Sequence, residues 1–406
     1  MARRETEVHA PRRSFDGTSH CPLAIAAERG FSGKQHIMIR VFRTGRHAHR
    51  TPLSYNALAP LFEGHIKEVQ APSEADLYVF AHILDIEDAP KALIEDWRQR
   101  QRPIVLLSEE PFWDTLWGKR PLARHRLAES RWGKVPVHQL THHSSPIFRF
   151  ERIPYYLLTN HRFANAYAAR FTRNARLSPE DWRKAFLRRR SHLAFLFERR
   201  HGEHHSVKWP EGDIAGLCHW RTQIAERCQR GVIERLGRSW QAKVPARSQL
   251  DDWHLDKLVQ LDQRTRILGA FENTHQPNYI TEKLFDAFAC GALPAYVASP
   301  GHRVHELNLP KKSWLNLYTH SASSAAAVLD QVDWADRTWL DSTCTAYATA
   351  QNRLADLFSQ PHNWLRERQR LQSALLEEFH SVLDHAKTST DDPKARALVE
   401  TASLTC

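Results

Sequence analysis

Hydrophobic and polar positions follow each other most regularly between residues 266 and 298. The stretch opens and closes with short apolar runs, as buried parallel strands do. Between them lies a polar segment containing Asn, Gln and Pro, and then apolar side chains recur every fourth residue at Ile280, Leu284 and Phe288. Gly291 follows, in the position where helices commonly end. The pattern predicts a strand, a loop, a helix and a second strand, which together form one βαβ unit.

Apolar runs and helical spacings alternate along most of the chain, which predicts an α/β fold with parallel sheets. The segment 148–158 is interpreted as a strand or as a connection between domains, and 167–190 as helical and very basic, ending in an arginine run. The arginine run that closes this helix is typical of a solvated face, with phosphate or lipid-headgroup contact as the alternative. Further strands are predicted at 36–42, 75–80, 103–107 and 192–197, and further helices at 89–99, 217–230, 322–330, 345–358 and 363–385.

The composition is that of a globular protein, with 42% hydrophobic and 10% aromatic residues in a chain of 406. This length is enough for two domains of ordinary size. The formal net charge of +11, with 25 His in addition, favours polyanionic partners such as a nucleotide-sugar, an anionic membrane surface or nucleic acid. Because the basic residues are spread along the chain and are not concentrated in one helix, we expect no nucleic-acid partner.

The six cysteines are scattered and form no Cys-x-x-Cys pair. Cys218 and Cys290 lie within apolar helical patterns, which predicts buried side chains and a reducing compartment. The first residues lack the apolar segment of a signal peptide, and no run of about 18 apolar residues occurs. We therefore expect a cytoplasmic protein, bacterial by its composition, whose contact with an anionic inner-membrane surface would be peripheral.

Chemical groups are concentrated where the first strand of the βαβ unit ends and its helix begins. Glu272 and Asn273 end the strand, at the edge where open α/β sheets bind ligands. Thr281, Glu282 and Lys283 occupy the first helical turn, whose free N–H groups and positive dipole attract phosphate. A lysine in this position is unfavourable for the helix by itself, so a bound anion would explain it. A solvated first turn with an unpaired lysine is the alternative.

Two adjacent carboxylates, Glu109 and Glu110, follow the strand predicted at 103–107. Catalytic groups of α/β sheets lie at such strand ends, although two solvated loop acids would give the same pattern. Trp113 and Trp117, a few residues further on, form either a sugar-stacking wall or part of the core.

A second polar loop contains three histidines, His201, His204 and His205. Histidine clusters bind metals, but this loop has neither a His-Glu-x-x-His pattern nor a neighbouring cysteine pair. We therefore predict no metal site.

Three motifs at fixed spacing stand out in the βαβ unit: Phe-Glu-Asn-Thr at 271–274, Tyr-Ile-Thr-Glu-Lys-Leu at 279–284 and Gly-Ala-Leu-Pro at 291–294. Together they resemble the donor-binding signature of the α1,3/4-fucosyltransferases, glycosyltransferase family 10. The acid loop after the strand at 103–107 is similar to a Glu-x-Pro segment of that family, with Glu110 at a position where the family often has Ser. The resemblance is specific in its spacing and covers a short part of the chain.

The resemblance implies a GT-B fold, in which two Rossmann-like domains with parallel sheets face a central cleft. It implies an inverting transfer of fucose from GDP-fucose to a hydroxyl of a glycan acceptor, such as lipopolysaccharide or another cell-surface oligosaccharide. No Asp-x-Asp turn stands at a strand end, the nearest sequence being 85–88, so basic side chains would replace a metal ion and no cofactor is expected. The residues implied are Glu109 as general base, Arg221 and Lys283 for the diphosphate, Asn273 and Tyr279 for nucleotide and phosphate contacts, and Glu282 for ribose or sugar hydroxyls.

Arg221 is assigned from a short match, so Arg227 and the Arg199–Arg200 pair are alternatives for the same role. Two other functions are also open. One is a related transferase with a different nucleotide-sugar, and the other is a non-catalytic protein that binds glycans or nucleic acid.

Five segments are expected along the chain. A mobile basic tail at 1–34 precedes an acceptor-binding Rossmann-like domain at 35–175 and a nucleotide-sugar-binding Rossmann-like domain at 176–360. A helix at 361–388 either crosses back onto the first domain or caps the second. A mobile tail at 389–406 follows.

Overall fold

A six-stranded sheet organises the first half of the protein; the computed structural model describes residues 38–115, 120–242, 244–245 and 249–391. Its strands are β1 (Ile39–Arg43), β2 (Ile66–Glu68), β3 (Leu77–Phe80), β4 (Ile104–Leu107), β5 (His125–Ser130) and β6 (Gly133–Leu140). They lie in the order β2-β1-β3-β4-β6-β5. All neighbours are parallel except β5 and β6, which form an antiparallel pair.

The centre of this sheet is hydrophobic because both of its faces are covered. Every residue of β3 and β4 is buried, as expected for parallel strands between two layers. One face packs into an apolar cluster that includes Tyr78, Phe80 and Trp97. Val79 and Val105 point to the other face and belong to the main core, which continues into the second half of the protein.

The second half contains a five-stranded parallel sheet and a small antiparallel one. The parallel sheet has the order β10-β7-β11-β13-β14, and the small sheet the order β12-β9-β8. The βαβ unit predicted at 266–298 is present, and Gly291 ends its helix with a φ of +76°. The strands are β7 (Ser191–Leu196), β8 (Lys208–Trp209), β9 (Ile214–Gly216), β10 (Ile233–Leu236), β11 (Thr265–Gly269), β12 (Thr274–His275), β13 (Leu293–Tyr296) and β14 (Leu315–Asn316).

Helices cover the parallel strands and close the chain. Cys218 and Cys290 are buried, as predicted. The helices are α1 (Ile83–Glu87), α2 (Lys91–Arg100), α3 (Tyr155–Leu158), α4 (His161–Asn174), α5 (Pro179–Arg188), α6 (Cys218–Arg227), α7 (Trp253–Leu261), α8 (Glu282–Ala289), α9 (Ala322–Gln331), α10 (Arg337–Ser359) and α11 (Pro361–Asp391).

The helical prediction for 167–190 is correct over most of its length and wrong at 175–178, because two helices, α4 and α5, occupy this region. Ser178 and Asp181 form a capping box at the start of α5, and Pro179 takes its first position. Pro suits that position since its missing N–H would have no helical partner there. The strand alternative for 148–158 is also wrong, since this segment contains a helical turn and α3.

The arginine run at the end of α5 is only partly a solvated face. Arg188 and Arg190 are exposed, but Arg189 is 5% exposed. Its guanidinium donates hydrogen bonds to the carbonyl oxygens of Thr265 (3.2 Å) and Gly291 (2.7 Å). Arg189 therefore joins the end of α5 to both strands of the βαβ unit.

The last helix, α11, contacts the first half of the protein. The Glu367 carboxylate accepts the backbone N–H groups of Glu151 (3.0 Å), Arg152 (2.8 Å) and Ile153 (3.3 Å). Further along the helix, Glu378 pairs with Arg124. The predicted domain boundaries stay predictions. The tail at 1–34 and residues 392–406 of the second tail lie outside the described residues.

None of the helices in the described ranges combines the length and the apolar character needed to cross a membrane.

We expect Glu367→Ala to lower the free energy of unfolding by about 1.5–3 kcal/mol, because three backbone donors would lose a charged acceptor. Glu367 is 1% exposed, so water cannot replace the carboxylate. Thermal and urea unfolding followed by circular dichroism would measure the change. Glu377→Ala, at an exposed position of the same helix, is the control. Equal stability of the two variants would contradict the prediction.

Candidate active site

The Glu272 carboxylate occupies the N-terminus of α8. It accepts hydrogen bonds from the backbone N–H of Thr281 (2.8 Å) and from the Thr281 hydroxyl (2.7 Å). Nζ of Lys283 lies 3.0 Å from the same carboxylate. Glu272 is 3% exposed, and the positive end of the helix dipole stabilises its charge. The chain itself therefore supplies an anion at the helix start, beside the lysine.

Lys283 is neither solvated nor unpaired. Its side chain is 20% exposed, and Nζ also lies 3.7 Å from the carboxylate of Glu282. Burial by itself lowers the pKa of Lys283, but the carboxylates of Glu272 and Glu282 outweigh that effect and raise the pKa above its ordinary value. The ammonium is thus charged at neutral pH and keeps part of its surface accessible.

A buried charge network connects α8 with α7 and α4. The Asp286 carboxylate, fully buried, lies 2.7 Å from Nζ of Lys257 and 2.7 Å from Nε2 of His254. It also accepts a hydrogen bond from the Tyr167 hydroxyl at 2.8 Å. Lys257 lies 3.7 Å from the carboxylate of Glu282. Glu282, which is 4% exposed, is therefore held from behind by a second lysine.

Arg221 is a buried cation without an acidic partner. It lies on α6, is 4% exposed, and donates a hydrogen bond to the carbonyl of Phe271 at 3.1 Å. Its guanidinium carbon lies 4.7 Å from the centre of the Phe197 ring. Within the described ranges no carboxylate lies within ion-pair distance of Arg221, and its Nε has no hydrogen-bond partner. Burial lowers the pKa of Arg221, but a guanidinium stays protonated in proteins.

The alternatives to Arg221 are placed differently. Arg199 is exposed and pairs with Glu226 at 2.7 Å. Arg227 is exposed and donates to the carbonyl of Gln223 on its own helix. Neither of them is a buried cation that lacks an acidic partner.

A cavity of about 550 Å³ lies against the first turns of α6, the helix that carries Arg221. This volume is within the range of small-molecule sites. Asn273 is half-buried close by, and its carbonyl accepts the backbone N–H of Leu217 at 2.9 Å. The cavity walls combine aromatic and hydrogen-bonding side chains, among them Asp213, Trp220, Gln223, His275, Tyr318 and His320.

Tyr279 joins the loop before α8 to the acid loop after β4. Its hydroxyl donates a hydrogen bond to the Glu110 carboxylate at 3.2 Å, and the residue is 4% exposed. Burial raises the pKa of Glu110, whereas Arg50, Lys283 and Tyr279 lower it. The loop before α8 and the acid loop, which are distant in the sequence, thus meet. Glu110 lies close enough to Lys283 for its charge to act on the carboxylate.

Glu109 lies on the same loop but faces the first half of the protein. Its carboxylate accepts hydrogen bonds from the hydroxyls of Tyr55 (2.7 and 2.8 Å) and Tyr155 (3.1 Å). Its side chain is 10% exposed, so it is not a solvated loop acid. Burial raises the pKa of Glu109 to about 7, although the Tyr55 hydroxyl and the Arg50 charge act in the opposite direction. This value suits a general base at neutral pH.

Asp114 adds a third buried carboxylate to this loop. It is bound by the Ser108 hydroxyl at 3.0 Å and by Nη1 of Arg50 at 3.0 Å. Burial raises the pKa of Asp114 to about 8. Arg50, Tyr55, Asp114 and Tyr155 are site residues that the sequence pattern does not reveal. Asp114 alone carries a local signal, since it lies in the same loop as Glu109.

The histidine loop lies against the acid loop. The His205 ring packs 5.2 Å from that of Trp113 and 4.0 Å from that of His204. Trp113 is half-buried beside Phe112, and Trp117 lies outside the described residues. In the part of the chain that the structure covers, no three His, Cys, Asp or Glu side chains are grouped so that they could hold a metal ion.

Residues 218–342 match a family model described as "Glycosyltransferase family 10 (fucosyltransferase) C-term". The match includes the basic site around α6 and α8 and excludes the acid loop. The chain is a glycosyltransferase, and the predicted α/β class with parallel sheets is confirmed. Over residues 218–342 it is similar to the C-terminal part of glycosyltransferase family 10.

Solved structures of fucosyltransferases are also similar to the chain. A crystal structure of an alpha1,3-fucosyltransferase has 11% sequence identity and a TM-score of 0.40, over 84% of this chain and 95% of that chain. A crystal structure of alpha1,3-fucosyltransferase with GDP-fucose has 15% identity and a TM-score of 0.36, over 88% and 94%. No curated protein sequence matches the chain significantly. Because the structural scores are low, the similarity to the family depends on residues 218–342.

We expect Lys257→Met to reduce the free energy of unfolding by about 3–5 kcal/mol, because it leaves the Asp286 and Glu282 carboxylates buried without their lysine. Thermal unfolding would measure the loss. Lys311→Met, which removes an exposed lysine, is the control and should change stability little. A Lys257→Met protein as stable as this control would show that the network contributes nothing.

Proposed function

We propose that this protein transfers fucose from GDP-fucose to a hydroxyl of a glycan acceptor, with inversion at the anomeric carbon. The observation that carries the proposal is Arg221, a buried guanidinium without a carboxylate partner among the described residues, on the helix whose first turns line a cavity of about 550 Å³. A buried charge normally has a partner. The diphosphate of a nucleotide-sugar would supply it.

The charges around α8 support a diphosphate between Arg221 and Lys283. The positive charge of Arg221 is close enough to Lys283 to oppose its protonation. Both cations would face the leaving GDP, whose negative charge grows as the bond to the sugar breaks. The N-terminus of α8 already holds Glu272, so we assign phosphate contacts to these side chains and not to the free helix N–H groups. In this proposal basic side chains replace a divalent metal, and no cofactor is required.

The nucleoside is assigned to the cavity beside α6. Its aromatic walls offer stacking surfaces for a base, and its polar groups offer hydrogen-bond partners. Asn273, at the edge of this region, and Tyr279 are assigned to nucleotide and phosphate contacts, and Glu282 to ribose or sugar hydroxyls. The network behind Glu282 supports this role, because it holds that carboxylate at the helix start.

Glu109 is assigned as the general base. Its carboxylate would accept the proton of the acceptor hydroxyl as that oxygen attacks the anomeric carbon of the sugar. The bond from this carbon to the phosphate oxygen breaks, and GDP leaves with the electron pair. One displacement of this kind inverts the anomeric configuration.

The acceptor is assigned to a cell-surface oligosaccharide such as lipopolysaccharide, in a bacterial cytoplasm. The net charge of +11 and the exposed Arg188 and Arg190 support peripheral contact with an anionic membrane surface. A nucleic-acid partner is not part of the proposal.

Calorimetry of GDP, UDP, ADP and CMP tests the donor site. We expect GDP to bind best, with or without EDTA, and Arg221→Gln to weaken its binding about 10- to 100-fold through loss of charged hydrogen bonds. Arg227→Gln, at an exposed position of the same helix, is the matched control. Preferred binding of UDP or CMP would overturn the fucose assignment, and the absence of all nucleotide binding would overturn the transferase proposal.

Steady-state kinetics with GDP-fucose and a panel of oligosaccharide acceptors tests the base. We expect Glu109→Gln to lower kcat by about 10²- to 10⁴-fold without weakening GDP binding. A base must be deprotonated to act, so kcat/KM of the wild type should rise with pH and level off above about 7, the pKa of Glu109.

Glu110→Gln serves as the comparison for this experiment, since Glu110 is the adjacent acid and faces the donor side. If Glu109→Gln retains full turnover while Glu110→Gln loses it, the base is Glu110. If neither substitution lowers turnover, the acid loop is not catalytic, as a non-catalytic glycan-binding protein would require.

A further inference from the structure

Arg50 faces all three carboxylates of the acid loop. Its guanidinium nitrogens lie 3.0 Å from Asp114, 3.7 Å from Glu110 and 3.8 Å from Glu109. In the described ranges no other lysine or arginine lies within ion-pair distance of these acids. We call Glu109, Glu110 and Asp114 the acid cluster.

Asp114 anchors the arginine. Its side chain is 1% exposed and is fixed by the Ser108 hydroxyl at 3.0 Å, while its backbone carbonyl accepts the N–H of Ile83 at 2.9 Å. Arg50 makes its shortest contact to this fixed carboxylate. From there it reaches Glu109 and Glu110 at distances longer than a hydrogen bond, where its charge still acts on both.

One positive charge cannot balance the negative charges of a buried Asp114 and two half-buried glutamates. Carboxylates that share a site resist simultaneous ionisation, and a nearby cation favours the ionised form. Burial is the largest influence on the pKa of each member and raises it, and Arg50 lowers the pKa of each. The acid cluster therefore resists full ionisation, and Arg50 opposes that resistance.

We propose that Arg50 is a positioning residue: anchored on Asp114, it holds the Glu109–Glu110 segment in place and sets the pH range in which Glu109 is free to accept a proton. The inference builds on the proposed role of Glu109 as base and adds a residue from the loop after β1. Arg50 itself needs no contact with either substrate.

Other groups that face the acid cluster act on it from several elements. Tyr55 and Tyr155 donate to Glu109, and Tyr279 donates to Glu110. The charges of Lys283 and Glu272 act on Glu110 from a longer distance. The ring of His82 lies 3.7 Å from the carboxylate of Asp114. Burial lowers the pKa of His82 to about 4, so this ring is neutral when the cluster titrates.

The pH dependence of kcat/KM and the infrared band of protonated buried carboxyl groups test the inference together. Arg50→Gln should move the acid limb of the kinetic profile upward by about one pH unit or more, because the ionised form of Glu109 loses its cation. The infrared titration should move in the same direction. The Kd for GDP should change less than about twofold, since Arg50 lies outside the donor site.

Two further variants sharpen the test. Asp114→Asn removes the carboxylate that anchors Arg50, so it should move both curves to higher pH, in the same direction as Arg50→Gln. Arg46→Gln removes an exposed arginine of the same loop and should leave both curves in place. If Arg50→Gln does not fold, the direction of the Asp114→Asn shift decides.

Unchanged curves in a folded Arg50→Gln protein, or a downward shift in Asp114→Asn, would overturn the inference. A wild-type protein that transfers no sugar would instead overturn the proposed function. The infrared titration would still report on Arg50 in that case, so the two failures are distinguishable.

Discussion

The arrangement of the proposed donor site depends on the carboxylate of Glu272. It receives the backbone N–H and the hydroxyl of Thr281 and the ammonium of Lys283, and the Tyr296 hydroxyl lies 3.5 Å away. These contacts join the end of β11, the start of α8 and the end of β13 at one buried point. Because the helix dipole and the lysine both favour a negative charge there, the three elements are held in one geometry. This geometry, with the Glu272 carboxylate at its centre, determines the position of the Lys283 ammonium.

The two halves of the protein meet through polar contacts that serve the site. Tyr279 brings the loop before α8 to Glu110, and Glu367 on α11 binds the backbone of the first half. The Glu367 carboxylate is buried, and that of Glu110 is half-buried. Burying a carboxylate costs free energy unless it is hydrogen-bonded. The hydrogen bond from Tyr279 to Glu110 therefore fixes the acid loop relative to the loop before α8.

Charge is distributed unevenly across the site. Lys257 and Lys283 are each paired with carboxylates, whereas Arg221 is buried without an acidic partner among the described residues, and the acid cluster has more acids than cations. Such imbalances cost stability and are typical of functional sites. Near Arg221 the charge that is missing is that of an anion. In the acid cluster the surplus of carboxylates suits a general base. Both features fit the transfer of a sugar from a nucleotide.

The sequence by itself determined the α/β class, the βαβ unit with its stop at Gly291 and the family signature, because periodicity, turn residues and short motifs are local properties of the chain. It placed Glu109 and Lys283 at strand and helix ends but not their surroundings. Only the tertiary structure showed the Glu272 carboxylate at the start of α8 and Arg189 bonded to the carbonyls of Thr265 and Gly291. It also showed Arg50, Tyr55 and Tyr155 around Glu109. These contacts join segments that are far apart in the chain, and strand order decides which loops meet, so no local pattern encodes them.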